Sequence, residues 1–354
     1  VYCKYLKDFH RISGMVKRMA EVAEYAGVSE ATVSRVLNGK PGVAESTRAA
    51  VLSAMDVLGY ERPRPLRGRA NRLVGLVAPD LSNPVFPAFA EVIGSALAQR
   101  GFTPVLCTRT FDRVSESDYV DMLLEHQISG AVFICGLHSH ARADHSHYGR
   151  LLERGLPVVA VNGMVDTLPI TCVSSDDELA ARLAVRHLAS LGHRRIGLAL
   201  GEFEDHLPAM RKETAFRKAL AEHCAVPDAD DLVTHTMYTA EGGAAAAGQL
   251  VARGATALVC GSDLMALGAV RACQRMGLEV PDDISVVGYD DLGVVTLTNP
   301  PLTTVRQPIE AMGKAVVTLL GNRVNGLTDS EQEFLFEPEL VVRGSTAAAR
   351  PRTA

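Results

Sequence analysis

Tryptophan is absent from the 354 residues and aromatic residues make up 5%, too few rings for a protein that grips single-stranded nucleic acid by stacking its bases. No stretch reaches the roughly 18 unbroken apolar residues of a membrane span, and the N-terminus lacks the basic-then-apolar order of a secretory signal. A cytoplasmic location is therefore expected. The seven cysteines are an odd number with no C-x-x-C among them, which speaks against a disulfide framework or zinc ribbon and for buried free thiols. No G-x-S-x-G, H-E-x-x-H or paired catalytic carboxylate occurs in a supporting context, so nothing points to an enzyme.

Other patterns fall short of a site. Gly243 to Gly248 has the spacing of a phosphate loop but continues Gln249-Leu250 where Lys and Ser/Thr are required; it reads as an alanine-rich helix. His138, His140, His145 and His147 form two H-x-H pairs without a cysteine and read as a solvated loop, not a metal site. Asp228, Asp230 and Asp231 lack the Gly and terminal Glu of a calcium loop. His193, in Leu-Gly-His-Arg-Arg, reads as a structural histidine ahead of a strand. Neither a metal nor a cofactor is expected.

What is present is a 47% apolar chain, long enough for two or three compact units, with its charge unevenly spread. Residues 15–72 carry ten Lys/Arg against six Asp/Glu, while 73–354 carry a balance of −11 within a total of −5. That asymmetry fits a nucleic-acid head on an acidic body. Arg62, Arg64, Arg67, Arg69 and Arg72 crowd into eleven residues with no acid among them.

Residues 1–14 match nothing downstream and are expected to be a disordered or non-native arm. From 15 to 60 the pattern is helical and short-looped: Met19, Val22, Ala23 and Ala26 share a face, then Val33, Val36 and Leu37, then Val51, Leu52, Met55 and Leu58. A Pro- and Arg-rich linker, 61–72, marks a boundary. Beyond it apolar strands near 73–77, 103–106, 131–134, 158–161, 196–200, 257–260 and 284–289 alternate with amphipathic helices such as 89–100, 178–191 and 262–276. Such β-α repetition implies parallel sheets covered by helices on both faces.

Within the head, Gly27 permits a sharp turn after the first helix, Val28 can plug between helices, and Ser29 caps the second helix. With Val33 and Val36 inward, Glu30, Ala31, Ser34 and Arg35 face out, where a helix would enter a major groove. Arg35 can pair with guanine through two hydrogen bonds, Ala31 can pack on a thymine methyl, and Glu30 can accept from cytosine or simply complement the helix dipole. Thr32, Ser34, Asn38 and Lys40 suit phosphate positioning, and Ser29, the cap, counts with them among the DNA-binding residues.

The run Val22-Ala23 through Ala26-Gly27-Val28-Ser29 to Thr32-Val33-Ser34-Arg35-Val36-Leu37-Asn38 strongly resembles the LacI/GalR transcriptional regulators, and the resemblance extends over about residues 16–345. By position, Glu30 and Ala31 match the pair through which that family varies its base preference. The resemblance implies an all-α helix-turn-helix head and an α/β body of two doubly wound parallel-sheet lobes, like type I periplasmic binding proteins. It implies a hinge helix with a leucine wedge into the minor groove, for which Leu66 is the candidate. Pro63 and Pro65 leave open an extended, Arg-rich minor-groove arm instead.

The body shares Ser82-Asn83-Pro84-Val85-Phe86, Leu191-Gly192-His193-Arg194-Arg195, Val287-Gly288-Tyr289-Asp290-Asp291 and Thr303-Thr304-Val305-Arg306-Gln307-Pro308 with the family. Its three crossovers would put lobe one at about 73–161 and 292–326, lobe two at about 162–291 and 327–345, and a tail at 346–354. Ligands of such sheets bind at the carboxyl ends of the strands. The resemblance implies that Phe86 stacks on the effector and that Asn162, Arg211, Lys212 and Asp290 hydrogen-bond it. Asp263 follows Ser262 where relatives carry Asn-Asp, so that contact is altered, and Lys212 stands where the family usually has Arg.

The implied function is a DNA-binding repressor of palindromic operators, working as a homodimer and modulated by a small polar effector of the sugar class. No leucine heptad follows Ser345, so a tetramer-forming helix is not expected. The alternatives are a solute-binding protein or sugar-handling enzyme on similar lobes and, within the family, an activator or a nucleotide-sensing corepressor type.

Overall fold

The computed structural model describes residues 19–37, 42–58, 72–108, 114–201, 205–226, 229–327 and 333–350. The 1–14 arm, Asn38, Leu66 and nearly all of the 61–72 linker lie outside them, so the hinge alternatives do too. The chain divides into two compact units, Val1–Arg72 and Leu73–Ala354.

Among the described residues the first unit contains three helices, α1 (19–26), α2 (Glu30–Leu37) and α3 (Glu45–Val57). Val22, Ala23, Val33, Val36, Val51, Ala54 and Met55 close one small core. The spacing of these residues, one or two per turn and all on one face, is what lets such short helices persist: isolated, each is too short to hold itself. The turn between α1 and α2 places Gly27 at φ +66, the left-handed region that costs glycine nothing. Val28 N–H then donates to the Ala23 carbonyl at 3.0 Å.

Among the described residues the second unit is built on two six-stranded sheets. The first consists of β1 (Arg72–Ala78), β2 (Phe102–Thr108), β3 (Gly130–Ile134), β4 (Val158–Val161), β5 (Thr171–Ser175) and β11 (Glu333–Phe336), in the order β11-β5-β4-β3-β1-β2. The second consists of β6 (Ile196–Gly201), β7 (Val233–Thr236), β8 (Ala257–Cys260), β9 (Ser285–Asp290), β10 (Thr303–Arg306) and β12 (Glu339–Val341), ordered β12-β10-β9-β8-β6-β7. Central strands such as β3, β4 and β8 are buried along their whole length, as parallel strands covered on both faces must be. β12 joins β10 antiparallel at the edge of its sheet.

Helices α4 (Val85–Gln99), α5 (Glu116–Glu125), α6 (Ser146–Glu153) and α11 (Ile309–Val324) belong with the first sheet; α7 (Asp177–Ser190), α8 (Leu207–Cys224), α9 (Ala240–Ala252) and α10 (Asp263–Arg275) belong with the second. α4 buries Val85, Phe89, Ile93 and Leu97, a four-residue repeat that keeps one stripe inward. Side-chain caps start several helices: Ser115 with a reciprocal Asp118, Asp176, Thr239 and Ser262. The alanine-rich run lies inside α9, as its sequence suggests.

Strand pairing corrects the lobe limits. β5 pairs with β4 and β11 in the first sheet, and β10 pairs with β9 in the second. The chain therefore leaves lobe one after Ser175, returns between Arg306 and Ile309, and leaves again between Phe336 and Glu339. The limits expected at 161, 291 and 326 all lie too early. The physical reason is that Thr171-Cys172-Val173-Ser174-Ser175 is mostly polar and reads as loop, yet it is fully buried between two strands. The expected tail from 346 is also docked, at least to Ala349, whose N–H donates to Leu191 at 2.8 Å, while Ala347 accepts from His193 and Ser285.

Candidate functional site

Two candidate sites arise, one in each unit. On α2, Val33 and Val36 are sealed inside, so Glu30, Ala31 and Arg35 are left on the exposed face, with Thr32 and Ser34 half-buried at its margins. The cap forms as expected: Ser29 Oγ accepts from Thr32 N–H at 3.2 Å, and the two hydroxyls lie 2.9 Å apart. Glu30 occupies the first turn and Arg35 the last, each at the end where the helix dipole favours its charge. A polar face with one cation, on a rigid capped rod, can be laid against base edges and phosphates.

The second site lies where the two lobes meet. Asn162 follows β4, Cys135 follows β3, and Asp290 and Asp291 end or follow β9; all four have positive φ, at 64, 45, 113 and 58. Non-glycine residues rarely hold such backbones, and when they do so at the carboxyl ends of parallel strands they mark a functional edge. A hydrogen-bonded chain links them. Ser175 N–H donates to Asn162 Oδ1 (3.3 Å), Asn162 Nδ2 to Gln307 Oε1 (3.3 Å), and Gln307 Nε2 to Asp290 Oδ1 (2.7 Å). The relay runs from lobe one through the second crossing to lobe two.

Beside it, Lys212 Nζ lies 2.7 Å from Asp177 Oδ1 and 4.0 Å from the centroid of the Tyr289 ring. The Tyr289 hydroxyl donates to the same Asp177 oxygen at 3.1 Å. Burial works against the Lys212 charge, but Asp177, Tyr289 and Tyr238 outweigh it and hold the ammonium well above its ordinary range. Burial, reinforced by Asp263, pushes the Asp290 carboxyl well up, and burial pushes the Cys135 thiol up to about 12. Cys135, on lobe one, feels Asp290, Lys212 and Asp177 of lobe two, so these groups face the junction.

Arg211 is satisfied across the junction by Glu333 of β11, with two bonds of 2.8 Å, and Glu333 also accepts from Ser174 at 2.5 Å. Further contacts strap the lobes together. Ala141 and Arg142 N–H groups donate to the Asp205 carbonyl and carboxylate at 3.0 Å, His140 pairs with His206 as a β-bridge, and their rings lie 4.9 Å apart. Burial drives His206 down to about 3, so its imidazole is neutral there.

Of the expected effector residues, Asn162, Lys212 and Asp290 come together, and Arg211 sits at their flank. Phe86, half-buried in the first turn of α4, packs on the core that runs beneath both sheets. Asp263 is placed differently: it is wholly buried, and its oxygens accept from Thr304 Oγ1 (2.6 Å) and Leu292 N–H (2.7 Å). It thereby holds the turn that follows Asp290. Asp177, Gln307, Tyr238, Tyr289 and Glu333 were not singled out from the sequence; Tyr289 and Gln307 do fall inside segments shared with the family, the one available signal.

The histidine cluster is not a solvated loop. His138 and His147 are buried around Glu116, which accepts from His147 Nε2 at 2.8 Å and from the Tyr148 hydroxyl. Burial opposes the Glu116 charge, but these donors keep its carboxyl below its ordinary range, and burial takes His138 down to about 4. Among the described residues no group of His, Cys, Asp and Glu is arranged to hold a metal. His193 is structural, bonded to Thr256, Ser285 and Ala347. No described helix is long and apolar enough to cross a membrane.

Residues 18–63 match "Bacterial regulatory proteins, lacI family" and residues 185–346 match "Periplasmic binding protein-like domain". The HTH-type transcriptional regulator MalR of Streptomyces coelicolor is 51% identical over 338 residues, covering 95% of this chain and 98% of its own. The cellobiose complex of the transcriptional regulator CelR is 32% identical with a TM-score of 0.69, over 92% of this chain and 99% of the other. The lac repressor dimer bound to operator and the anti-inducer ONPF is 30% identical with a TM-score of 0.76, over 92% and 98%.

Proposed function

The chain belongs to the lacI family of bacterial regulatory proteins, a transcriptional regulator and not an enzyme, and we propose that it represses transcription from a palindromic operator and is governed by a small sugar in the cleft between its lobes. The head, 15–60, reads DNA: Glu30, Ala31 and Arg35 meet base edges, and Ser29, Thr32 and Ser34 position the helix on phosphates. Asn38 and Leu66 belong to the same interface by family position. The segment 61–72 is the hinge and the body from 73 is the sensor.

The observation that carries the sensing half is the Asn162–Gln307–Asp290 relay. It joins strand ends of both lobes through a chain crossing, so a ligand that exchanges hydrogen bonds with it changes how the lobes are held. Amide and carboxyl groups with the Tyr289 and Tyr238 rings beside them suit hydroxyls on an apolar ring. The relative whose structure contains cellobiose supports a sugar. One head offers a small footprint, and a two-fold operator needs two; the chain therefore acts as a homodimer, in the cytoplasm where its operator lies.

The test is selection from a random duplex library with the purified chain, followed by anisotropy titration with and without maltose, cellobiose and related neutral sugars. Enrichment of a two-fold symmetric site, with affinity that falls steeply with salt and shifts with one sugar, is expected. Enrichment of no symmetric site would remove the regulator's operator, and indifference to every sugar would remove its proposed effector class.

A further inference from the structure

A buried ammonium beside a ligand cleft is ordinarily an anion hook, since phosphate or carboxylate groups gain charge-assisted bonds there. In this chain that hook is already occupied. Lys212 and Asp177 have side-chain exposures of 11% and 5%, and their contact is 2.7 Å. Asp177 is fixed from a second side by the Tyr289 hydroxyl, and Tyr289 in turn presents its ring to Lys212. The neighbouring cation, Arg211, is matched in the same way by Glu333. Both cations of this wall are cancelled in place by carboxylates of the chain itself.

We propose that Asp177 is the residue that sets the charge specificity of the cleft: by neutralising Lys212 it fits the site to uncharged polyhydroxylic effectors and turns away their phosphorylated forms. This rests on the reading of the cleft as a sensor for a small polar effector. An uncharged polyol meets a donor and an acceptor side by side in the Lys212–Asp177 pair, and its hydroxyls can serve both. A phosphate monoester must instead displace Asp177 from Lys212 or stand beside it. Either course repels the anion, because the Asp177 carboxylate and the phosphate then compete for one ammonium. The sequence places Asp177 at the first position of α7, directly after the first crossing, while Lys212 is a turn into α8; only the packing of α7 on α8 brings them together.

The experiment uses the full chain without DNA, so that its outcome is separate from operator binding. Glucose 6-phosphate, inorganic phosphate, glucose, maltose and cellobiose are titrated by calorimetry at pH 7 into the wild type, Asp177→Asn, Asp177→Glu and the double variant Asp177→Asn/Lys212→Met. The wild type is expected to bind no phosphate-bearing probe saturably. Asp177→Asn gains phosphate and glucose 6-phosphate affinity by about tenfold or more, Asp177→Glu restores exclusion, and the double variant loses the gain because the hook itself is gone. A wild type that binds glucose 6-phosphate more tightly than glucose, or an Asp177→Asn variant that folds and gains no anion affinity, overturns the proposal. Should Asp177→Asn fail to fold, the wild-type comparison of glucose with glucose 6-phosphate still decides: preference for the ester refutes, and its exclusion supports.

Discussion

Arg211 and Glu333 are 122 residues apart in the chain, yet the guanidinium of one and the carboxylate of the other form two parallel N–H···O bonds of 2.8 Å across the lobe junction. Arg211 stands on α8 of lobe two and Glu333 on β11, the edge strand of lobe one. A fork-to-fork pair of this kind fixes orientation as well as distance. It therefore acts as a clasp on the relative position of the lobes, next to the residues expected to hold the effector.

Glu333→Gln keeps the shape of the clasp but removes its charge. Burial works against the Glu333 charge, while Arg211 and Ser174 together lower its carboxyl below the ordinary 4.5. The stabilisation is thus present above that pH and is lost as pH falls through the lowered value. At pH 7 the variant is expected to lose about 1–3 kcal/mol, measured by urea unfolding. In acid the gap between variant and wild type should close, and a gap that stays constant from pH 7 to 3 would show that the pair's charge does not matter.

Asp263 gives the opposite pH signature. Burial raises its carboxyl from 3.8 to about 7, despite bonds from Thr304 and Leu292. The folded chain therefore keeps a proton that the unfolded chain has released between about pH 4 and 7, and stability from this group falls as pH rises through that window, by up to about 1.4 kcal/mol per unit. Asp263→Asn can still accept from Leu292 N–H and donate to the Thr304 hydroxyl. Its stability against pH, followed by thermal unfolding, should be flatter there than the wild type's.

The approach of α9 to α10 depends on Gly268 and Gly243. A Cβ on Gly268 would lie 1.8 Å from the Ala240 carbonyl oxygen, and one on Gly243 would lie 2.0 Å from that of Met265. Gly268→Ala must push the helices apart, at a cost above the roughly 1–3 kcal/mol of ordinary overpacking. Gly248, on the same α9, has nothing within 4 Å of its Cβ position, so Gly248→Ala should stabilise by about 1 kcal/mol through helix propensity. Melting temperatures moving in the same direction for both would contradict this packing.

On the head, Arg35→Ala removes the exposed cation of α2 without touching Val33 or Val36, so folding is expected to be unchanged. Affinity for the selected operator should fall by about 1–3 kcal/mol at a guanine-containing position and less on a duplex mutated there. Equal losses on both duplexes, measured by anisotropy, would make Arg35 a phosphate contact only.

Local pattern sufficed for much of this molecule. The turn at Gly27, the Ser29 cap and the inward valines follow from three-residue to four-residue spacing and from glycine's freedom at positive φ. The strands near 131–134, 158–161 and 257–260 follow from short apolar runs. Family resemblance added Asn162, Lys212 and Asp290 to the junction. Local pattern was silent on β5, whose five residues look like loop because their polar side chains find partners only after burial: Ser174 reaches Glu333, and Thr171 accepts from Arg323. The histidine cluster misled for the same reason, since Glu116, which makes burial of His147 tolerable, lies 31 positions away.

Chain order alone determined that there is a helical head, a boundary and an alternating body, because helix and strand periods are read within a few residues. Tertiary structure decided where the lobes exchange the chain, that Asp263 braces a turn, and that Lys212 meets Asp177. Those outcomes depend on which distant groups satisfy a buried charge or hydrogen bond, and no local spacing encodes that choice.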